Sequence, residues 1–244
     1  YFMKNGKLDG EAINYFNDGK IRNKAIYKDD IILEEEVHEN NEIKKNTFKN
    51  EEIVQQDIYS KNKILKTTIF FLENGKTKII SYHENGNKKE EVFAINGLLD
   101  GEAFSYYPSG KIENKSFFKN GKREGESLTY YENGKLKKKN LYKNGMKNGL
   151  AIIYHENGII KQKSTFKNDK REGDLFIYYP SGKLLQKRNF INGKAEGELV
   201  EYYENGVVKE KAYFINDKQE KEHFFYDEKG KLIKKDIYKN GVKQ

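Results

Sequence analysis

The chain has 244 residues, of which 36% are hydrophobic, 34% are charged and 14% are aromatic, and its net charge is +8. The hydrophobic share is low for a thick core, and the aromatic share is too high for a disordered chain. No apolar run reaches the length of a membrane-spanning helix. The absence of cysteine excludes disulfides, thiolate metal sites and cysteine nucleophiles. We therefore expect a thin structure in which each part of the chain buries a few large rings.

A unit of 24 residues recurs along the chain. Its clearest copy, residues 120–145, contains two Asn-Gly turn signals that bracket two short runs of strand-forming residues. A fixed period of this size is the signature of a repeat architecture. Residues 1–28 fit the unit, residues 29–95 hold degenerate copies, and residues 96–244 are regular. Because no linker or break in composition interrupts the pattern, we expect residues 1–244 to form one continuous array.

The runs between the turns are short and rich in Tyr, Phe, Ile, Leu and Thr, which is typical of strands joined by hairpins. No window has a sustained helical period. The sequence thus predicts an all-β protein, an elongated single antiparallel β-meander built from about ten β-hairpin repeats of 21–24 residues.

The second turn of each unit is interpreted as a three-residue loop. With Glu132-Asn133-Gly134 as a type I turn followed by a left-handed glycine and a bulge, Tyr130 faces Leu136. A two-residue turn would place Tyr131 there instead. Pro108 and Pro180 occur at the Glu132 position, where the fixed φ of proline suits the type I turn.

With this loop, four columns of side chains are predicted to share one buried face, since only a slip of one residue would divide them. The two apolar columns are Phe104, Leu128, Ile152, Phe176, Val200, Phe224 and Ile112, Leu136, Ile160, Leu184, Val208, Leu232. The two aromatic columns are Tyr106, Tyr130, Tyr154, Tyr178, Tyr202, Tyr226 and Phe118, Tyr142, Phe166, Phe190, Phe214, Tyr238. The recurrent glycine, as at Gly101 and Gly149, is expected to leave room for a neighbouring side chain or to mark a bend.

A short motif carries a resemblance to a known family. It reads Gly-x-x-x-Gly-Glu-x-x-x-Tyr-Tyr-x-Asn-Gly-Lys at residues 121–135, and it recurs at 145–158 and 193–206. This motif resembles the MORN repeat, in the bacterial variant found in YwqK-type antitoxin-family proteins. The resemblance covers the regular copies and the first thirty residues. It implies extended β-hairpin arrays that make contacts with other proteins and sometimes with lipids.

The face opposite the four columns is predicted to carry the candidate partner-binding residues. One column there is lysine in every regular copy: Lys115, Lys139, Lys163, Lys187, Lys211 and Lys235. The tyrosines expected beside it are Tyr107, Tyr131, Tyr179 and Tyr203. A row of cations among aromatic rings suits a polyanion or an acidic partner surface. The alternative is a solvated face on which lysine stems cover tyrosine rings and oppose aggregation.

No catalytic or metal-binding pattern is recognised. His38, His83, His155 and His223 lie in different copies and share no ligand spacing. We find no acid/base pair, no phosphate-binding loop and no nucleophile elbow. We expect no enzyme activity, no cofactor, no metal, no small-molecule substrate and no specific nucleic acid.

The leading hypothesis is a non-enzymatic repeat scaffold that binds another protein, at the cell envelope or after export, because the chain starts at Tyr1 rather than Met and has no cysteine. The second is a cytoplasmic antitoxin-like protein that binds a toxin, which rests on the family resemblance. The third is a binder of anionic lipid or polymer through the lysine column.

Overall fold

The computed structural model describes residues 2–244. Almost all of them lie in antiparallel strands or tight turns, and this part of the chain has no α-helix. Among residues 2–244, no helix is long and apolar enough to cross a membrane. The chain divides into two compact units, the first running to Glu113 with Phe118–Gly121, and the second comprising Asn114–Phe117 and Lys122–Gln244.

The first unit is built from strands that pair in chain order. They are β1 (Met3–Lys4), β2 (Lys7–Leu8), β3 (Gly10–Tyr15), β4 (Ile21–Lys28), β5 (Ile31–Glu39), β6 (Glu42–Lys49), β7 (Glu52–Ser60), β8 (Leu65–Phe71), β9 (Lys76–Tyr82), β10 (Lys88–Ile95) and β11 (Leu98–Tyr106). β1 pairs with β2, and from β3 to β11 each strand pairs antiparallel with the next. A 3-10 turn at Glu73–Gly75 joins β8 to β9. The residues of β12 (Ile112–Lys119) are divided between the two units.

The second unit repeats the same arrangement with greater regularity. Its further strands are β13 (Lys122–Tyr130), β14 (Leu136–Lys143), β15 (Met146–Tyr154), β16 (Ile160–Lys167), β17 (Lys170–Arg171), β18 (Gly173–Tyr178), β19 (Leu184–Ile191), β20 (Lys194–Tyr202), β21 (Val208–Ile215), β22 (Lys218–Tyr226), β23 (Leu232–Lys239) and β24 (Val242–Lys243). β17 and β18 are two pieces of one strand, since both pair with β16. In both units strands pair antiparallel with their sequence neighbours, so the predicted all-β meander is confirmed.

The three-residue loop is also confirmed. The amide of Tyr131 donates to the carbonyl of Lys135 at 2.8 Å, and the amide of Gly134 donates to the carbonyl of Tyr131 at 2.8 Å. Gly134 has φ +85°, in the left-handed region that favours glycine. As expected for this loop, Tyr130 lies opposite Leu136.

The Asn-Gly turns at the other end of the hairpins bond to the preceding hairpin. At Asn144-Gly145 both residues have positive φ, +53° and +87°, as a type I′ turn requires. The Gly145 amide donates to the carbonyl of Arg123 at 2.9 Å, and the Asn144 amide donates to Glu124 Oε2 at 2.8 Å. The same carboxylate contact recurs from Asn192 to Glu172, from Asn216 to Glu196 and from Asn240 to Glu220. The acid that precedes the recurrent glycine, or Lys221 in the last copy, therefore caps the next turn.

The recurrent glycine leaves room for a neighbouring side chain at Gly101 and Gly149, as expected, whereas a Cβ at Gly125, Gly173 or Gly197 would meet no described atom within 4 Å. A Cβ at Gly149 would lie 3.3 Å from the Cβ of Leu141, and the residue has φ +118°. It lies where the register between β14 and β15 shifts, so it combines a close approach with a bend in the strand.

A second irregularity in each hairpin divides the four predicted columns between the two faces. Tyr130 is opposite Leu136 but Thr129 is opposite Lys138, so that Lys137 is an extra, bulged residue. Beyond this bulge Leu128 pairs with Lys139, and Gly125 pairs with Tyr142. Residues directly opposite each other share a face.

The prediction that all four columns share one face is therefore wrong. Only the column of Tyr142 and Phe166 lies on the face of Ser127 and Asn140, and the other three lie on the opposite face with Leu128. The physical reason is that one bulged residue shifts the two-residue alternation, and every side chain beyond it changes face.

The core of the second unit lies on the face of Ser127, Asn140 and Tyr142, which we call the packed face. Its buried residues are mostly small or polar: Ser116, Asn140, Ala151, Ser164, Leu175, Phe190, Ala195, Leu199, Ala212, His223 and Asp236. Phe190 packs with Leu175 and Ala195. Small buried side chains give the thin core that the composition implies. The opposite face, defined by Leu128, Tyr130, Leu136, Lys139 and their equivalents in the second unit, is called the lysine face.

The degenerate copies of the first unit are held together by polar side chains. Asn46, which is buried, donates to Glu35 Oε2 at 3.2 Å and accepts from Gln56 at 2.8 Å. Thr68, also buried, donates to Asp57 Oδ1 at 2.6 Å. These bonds pair groups that would otherwise be costly to bury.

Candidate interaction surface

The register places the lysine column on the same face as the apolar residues. Each lysine lies directly opposite an apolar residue: Lys139 opposite Leu128, Lys163 opposite Ile152, Lys187 opposite Phe176, Lys211 opposite Val200 and Lys235 opposite Phe224. Lys115 occupies the same position in β12. The prediction that the lysines and the apolar columns lie on opposite faces is therefore wrong. The bulge at Lys137 is the reason, because it shifts the alternation of side chains between the two faces.

The tyrosines predicted beside the lysines lie on the other side of the sheet in the second unit. Tyr179 and Tyr203 follow Tyr178 and Tyr202, and neighbouring residues in a strand point to opposite faces. Lys209 confirms this side, because its Nζ lies 2.6 Å from Glu201 Oε1 and 5.9 Å from the centroid of the Tyr203 ring. The prediction that Tyr131, Tyr179 and Tyr203 flank the lysine column is wrong. Tyr107 occupies the equivalent position after β11 in the first unit.

These tyrosines connect successive hairpins. The hydroxyl of Tyr131 donates to the carbonyl of Tyr154 at 2.7 Å, and that of Tyr203 donates to the carbonyl of Tyr226 at 2.9 Å. His155 takes the same role with its Nε2 3.0 Å from the carbonyl of Tyr178. Each bond crosses one intervening strand. We call this series of bonds the tyrosine ladder, and it supports the sheet at its three-residue loops. Burial raises the pKa of Tyr179, which keeps its hydroxyl a donor.

Carboxylates pair with much of the lysine column. Lys139 forms an ion pair with Glu126 and Lys235 forms one with Glu222, while Lys187 lies 3.3 Å from Asp174. The hydrogen bond with Glu126 raises the pKa of Lys139. Within residues 2–244, Lys163 and Lys211 have no ion pair. The positive charge of the column is thus partly neutralised on its own face.

Aromatic rings adjoin the lysines on this face. The Nζ of Lys187 lies 5.7 Å from the centroid of Phe176, and the Nζ of Lys235 lies 5.6 Å from that of Phe224. These distances are within the range of cation–π attraction. Phe176 also stacks on Tyr178, with 6.5 Å between ring centroids. Each regular hairpin therefore presents an apolar residue, a tyrosine and a lysine together.

Several large apolar side chains of the lysine face remain uncovered. Leu141 is 36% exposed, Leu232 is 47% exposed and Ile237 is 49% exposed. Leu128, Tyr130 and most of their neighbours in the two columns are half-buried, and Val200 is buried. Exposed apolar side chains with charged neighbours are typical of an interaction site.

Sequence reasoning missed the turn-capping acids, although a signal for them is present. An acid recurs before the glycine as Asp100, Glu124, Glu172 and Glu196, and before Lys221, which replaces the glycine, as Glu220. Among the described residues, no group of three or more His, Asp or Glu side chains is placed to hold a metal ion.

The comparison with protein families finds the MORN repeat variant model. It matches seven segments, which together make up more than half of the chain: 8–29, 99–120, 123–144, 147–168, 171–192, 195–216 and 219–240. The chain belongs to the MORN repeat variant family. The matches leave residues 30–98 uncovered, a range that contains most of the degenerate copies.

No curated protein sequence matches the chain. Among solved structures, it is similar to the Tc holotoxin pore of Photorhabdus luminescens, with 12% sequence identity and a TM-score of 0.19. The match covers 91% of this chain and 15% of that chain. A likeness this slight says nothing about function.

Proposed function

We propose that this MORN repeat variant protein is a non-enzymatic scaffold that binds another protein through the lysine face of the second unit. The observation that carries the proposal is the exposed apolar surface of that face, with Leu141, Leu232 and Ile237 uncovered. The tyrosines beside them are among the residue types that contribute most of the binding energy at protein interfaces.

The charges on this face favour a protein over an anionic lipid or polymer. A polyanion binder gains affinity from free cations. Here Lys139, Lys187 and Lys235 are already paired with carboxylates of the same face. A mixed surface of paired charges around apolar groups suits a partner with both apolar and charged residues, since such complementarity provides specificity.

The repeat gives the surface a regular spacing. Equivalent residues are two strands apart, which places them about 10 Å apart across the sheet. A partner with an extended surface therefore meets the same set of groups several times, so that individually weak contacts add up.

Affinity capture with two altered baits tests the proposal. One bait carries Leu128, Phe176 and Phe224 changed to Ser, and the other carries Lys139, Lys187 and Lys235 changed to Gln. We expect the wild type and the lysine bait to retain the same discrete protein at high salt, and the apolar bait to lose it. Circular dichroism spectra of the three proteins control for folding.

The opposite result would contradict the proposal. Retention of anionic lipid or polymer that disappears with the lysine bait and with salt would make the column of lysines the working surface. The identity of the captured protein, together with cell fractionation, distinguishes action at the envelope or after export from neutralisation of a cytoplasmic toxin.

A further inference from the structure

An open groove of about 920 Å³ lies in the first unit, between its first regular copy and the degenerate copies that follow. Its size is in the range of small-molecule sites. Phe16, Ile21 and Ile43 contribute apolar surface, and Lys61 and Lys63 contribute charge. Phe16 is 43% exposed, Ile21 is 37% exposed and Ile43 is buried.

The groove lies where the tyrosine ladder is interrupted. Phe16 occupies the position of Tyr131 in its loop, because its amide donates to Lys20 O at 2.8 Å and its carbonyl accepts from the Gly19 amide. A phenylalanine has no hydroxyl with which to bond to the next hairpin. Ser60 occupies the same position in the loop of β7, and its Oγ accepts from the Ile64 amide instead. Both three-residue loops that border the groove thus lack the residue that supports the sheet elsewhere.

Lys63 stands at a position that glycine fills in the other loops of this type. Its φ is +60°, in the left-handed region where a side chain is strained. The equivalent residues are Gly19, Gly86, Gly110, Gly134, Gly158, Gly182, Gly206 and Gly230. Strain of this kind persists where the side chain serves a purpose. At the rim of the groove, a lysine thus takes the place of a glycine that would adopt this φ without strain.

The charge left over in the groove is positive. Glu42 lies 3.3 Å from Lys66, and Glu39 lies 3.6 Å from Lys44, so both acids of the lining are paired. Lys20 pairs with Asp18 at 2.7 Å. Lys61 and Lys63 form no ion pair with any residue from 2 to 244. The groove therefore combines apolar walls with two unpaired cations.

Strand pairing around the groove argues against a peptide in extended form. β5, β6 and β7 are each paired on both sides. No free strand edge of these three is open for a peptide backbone to join. A ligand that needs no backbone partner, and that has an apolar body and an anionic head, fits the lining better.

We propose that this groove binds a small amphiphilic carboxylate, with its alkyl chain against Phe16, Ile21 and Ile43 and its carboxylate at Lys61 and Lys63. Calorimetric titration of the whole chain with three probes tests this. Decanoate has both parts of the ligand, decyltrimethylammonium has the same chain with a cationic head, and butanoate has the head with little chain. We expect Kd for decanoate to be at least about tenfold lower than for either of the others, which corresponds to one well-placed charge or a few buried methylenes.

Two substitutions place the binding in the groove. Lys63→Gly is expected to weaken decanoate binding about tenfold and at the same time to raise the melting temperature, because it removes both the cation and the strain. Lys183→Gln, in a loop of the second unit, is the matched control and is expected to leave decanoate binding unchanged. Phe16→Tyr restores the ladder residue and is expected to weaken binding by narrowing the groove.

Equal affinity for decanoate and decyltrimethylammonium would overturn the proposal. So would decanoate binding that Lys63→Gly leaves unchanged, since the melting temperature of that variant reports that the loop is folded.

Discussion

The hydroxyl of Tyr179 donates a hydrogen bond of 2.8 Å to the carbonyl oxygen of Tyr202, across the whole width of β19. Tyr179 follows β18 and Tyr202 ends β20. The bond therefore joins two strands that are not adjacent in the sheet, because β19 lies between them. With Tyr131 and Tyr203 making the same contact, the second tyrosine of the motif acts as a support within the sheet. The second tyrosine of the motif, which the sequence predicted to bind a partner, therefore has a structural role in the sheet.

Tyr179→Phe is expected to lower the free energy of unfolding by about 1 kcal/mol, because it leaves the Tyr202 carbonyl without this donor. Urea unfolding followed by circular dichroism measures the change. Tyr15→Phe is the control, since Tyr15 is 58% exposed and makes no such bond, and it is expected to have no effect. Equal destabilisation by both substitutions would show that the hydroxyl of Tyr179 has no special role.

Glu124→Ala is expected to destabilise the second unit by about 1–2 kcal/mol, because the Asn144 amide loses a charged acceptor at 2.8 Å. Hydrogen exchange of the Asn144 amide should accelerate in the variant. Glu156→Ala, in an exposed loop, provides the comparison and should change neither quantity. Unaltered exchange at Asn144 would mean that the carboxylate does not cap the turn.

Glu91 is expected to make stability depend on pH in the acid range. Burial by itself would raise the pKa of Glu91, but hydrogen bonds from Lys78 and Lys88 outweigh it and bring the pKa below its usual value of 4.5. The two Nζ atoms lie 2.7 Å and 2.6 Å from its carboxylate. A lowered pKa in the folded state means that the carboxylate stabilises the protein fully above about pH 4.5 and loses this effect as the pH falls through the folded value.

Glu91→Gln tests this dependence by thermal unfolding between neutral and acid pH. The variant should be less stable than the wild type at pH 7, and the difference should shrink as the pH falls below 4.5. A difference that stays constant over this range would show that ionisation of Glu91 does not contribute.

Removing the acids of the lysine face should expose its positive charge. With Glu126, Asp174 and Glu222 changed to Gln, the chain gains three units of net charge and Lys139, Lys187 and Lys235 lose their partners. We expect the variant to elute from heparin at clearly higher salt than the wild type, because free cations bind polyanions with strong salt dependence. Identical elution would mean that the carboxylates do not mask the lysines.

Local sequence signals were enough to predict the loops and the strand order. Pro108 and Pro180 at the Glu132 position, with Gly134 after it, predicted the three-residue loop that the structure has. The bulge at Lys137 left no such signal, because a lysine suits a bulge, a strand or a loop equally well. That single residue determines which face carries Leu128 and which carries Tyr142.

The candidate site was predicted in composition but not in arrangement. The lysine column was found from its period, whereas its pairing with Glu126 and its equivalents depends on the register. The division of Tyr178 and Tyr179 between two faces follows from strand alternation once the register is known. The groove near Lys63 depends on contacts among three hairpins and was beyond sequence reasoning.

Photo-crosslinking at two neighbouring positions tests most directly whether the lysine face binds the partner. A photoreactive phenylalanine analogue replaces Tyr178, on the lysine face, or Tyr179, which supports the packed side, in otherwise identical proteins. When each protein is mixed with the captured partner and irradiated, the analogue at position 178 should give a covalent adduct and the analogue at position 179 should not. An adduct formed at Tyr179 and absent at Tyr178 would contradict the assignment of the lysine face as the binding surface.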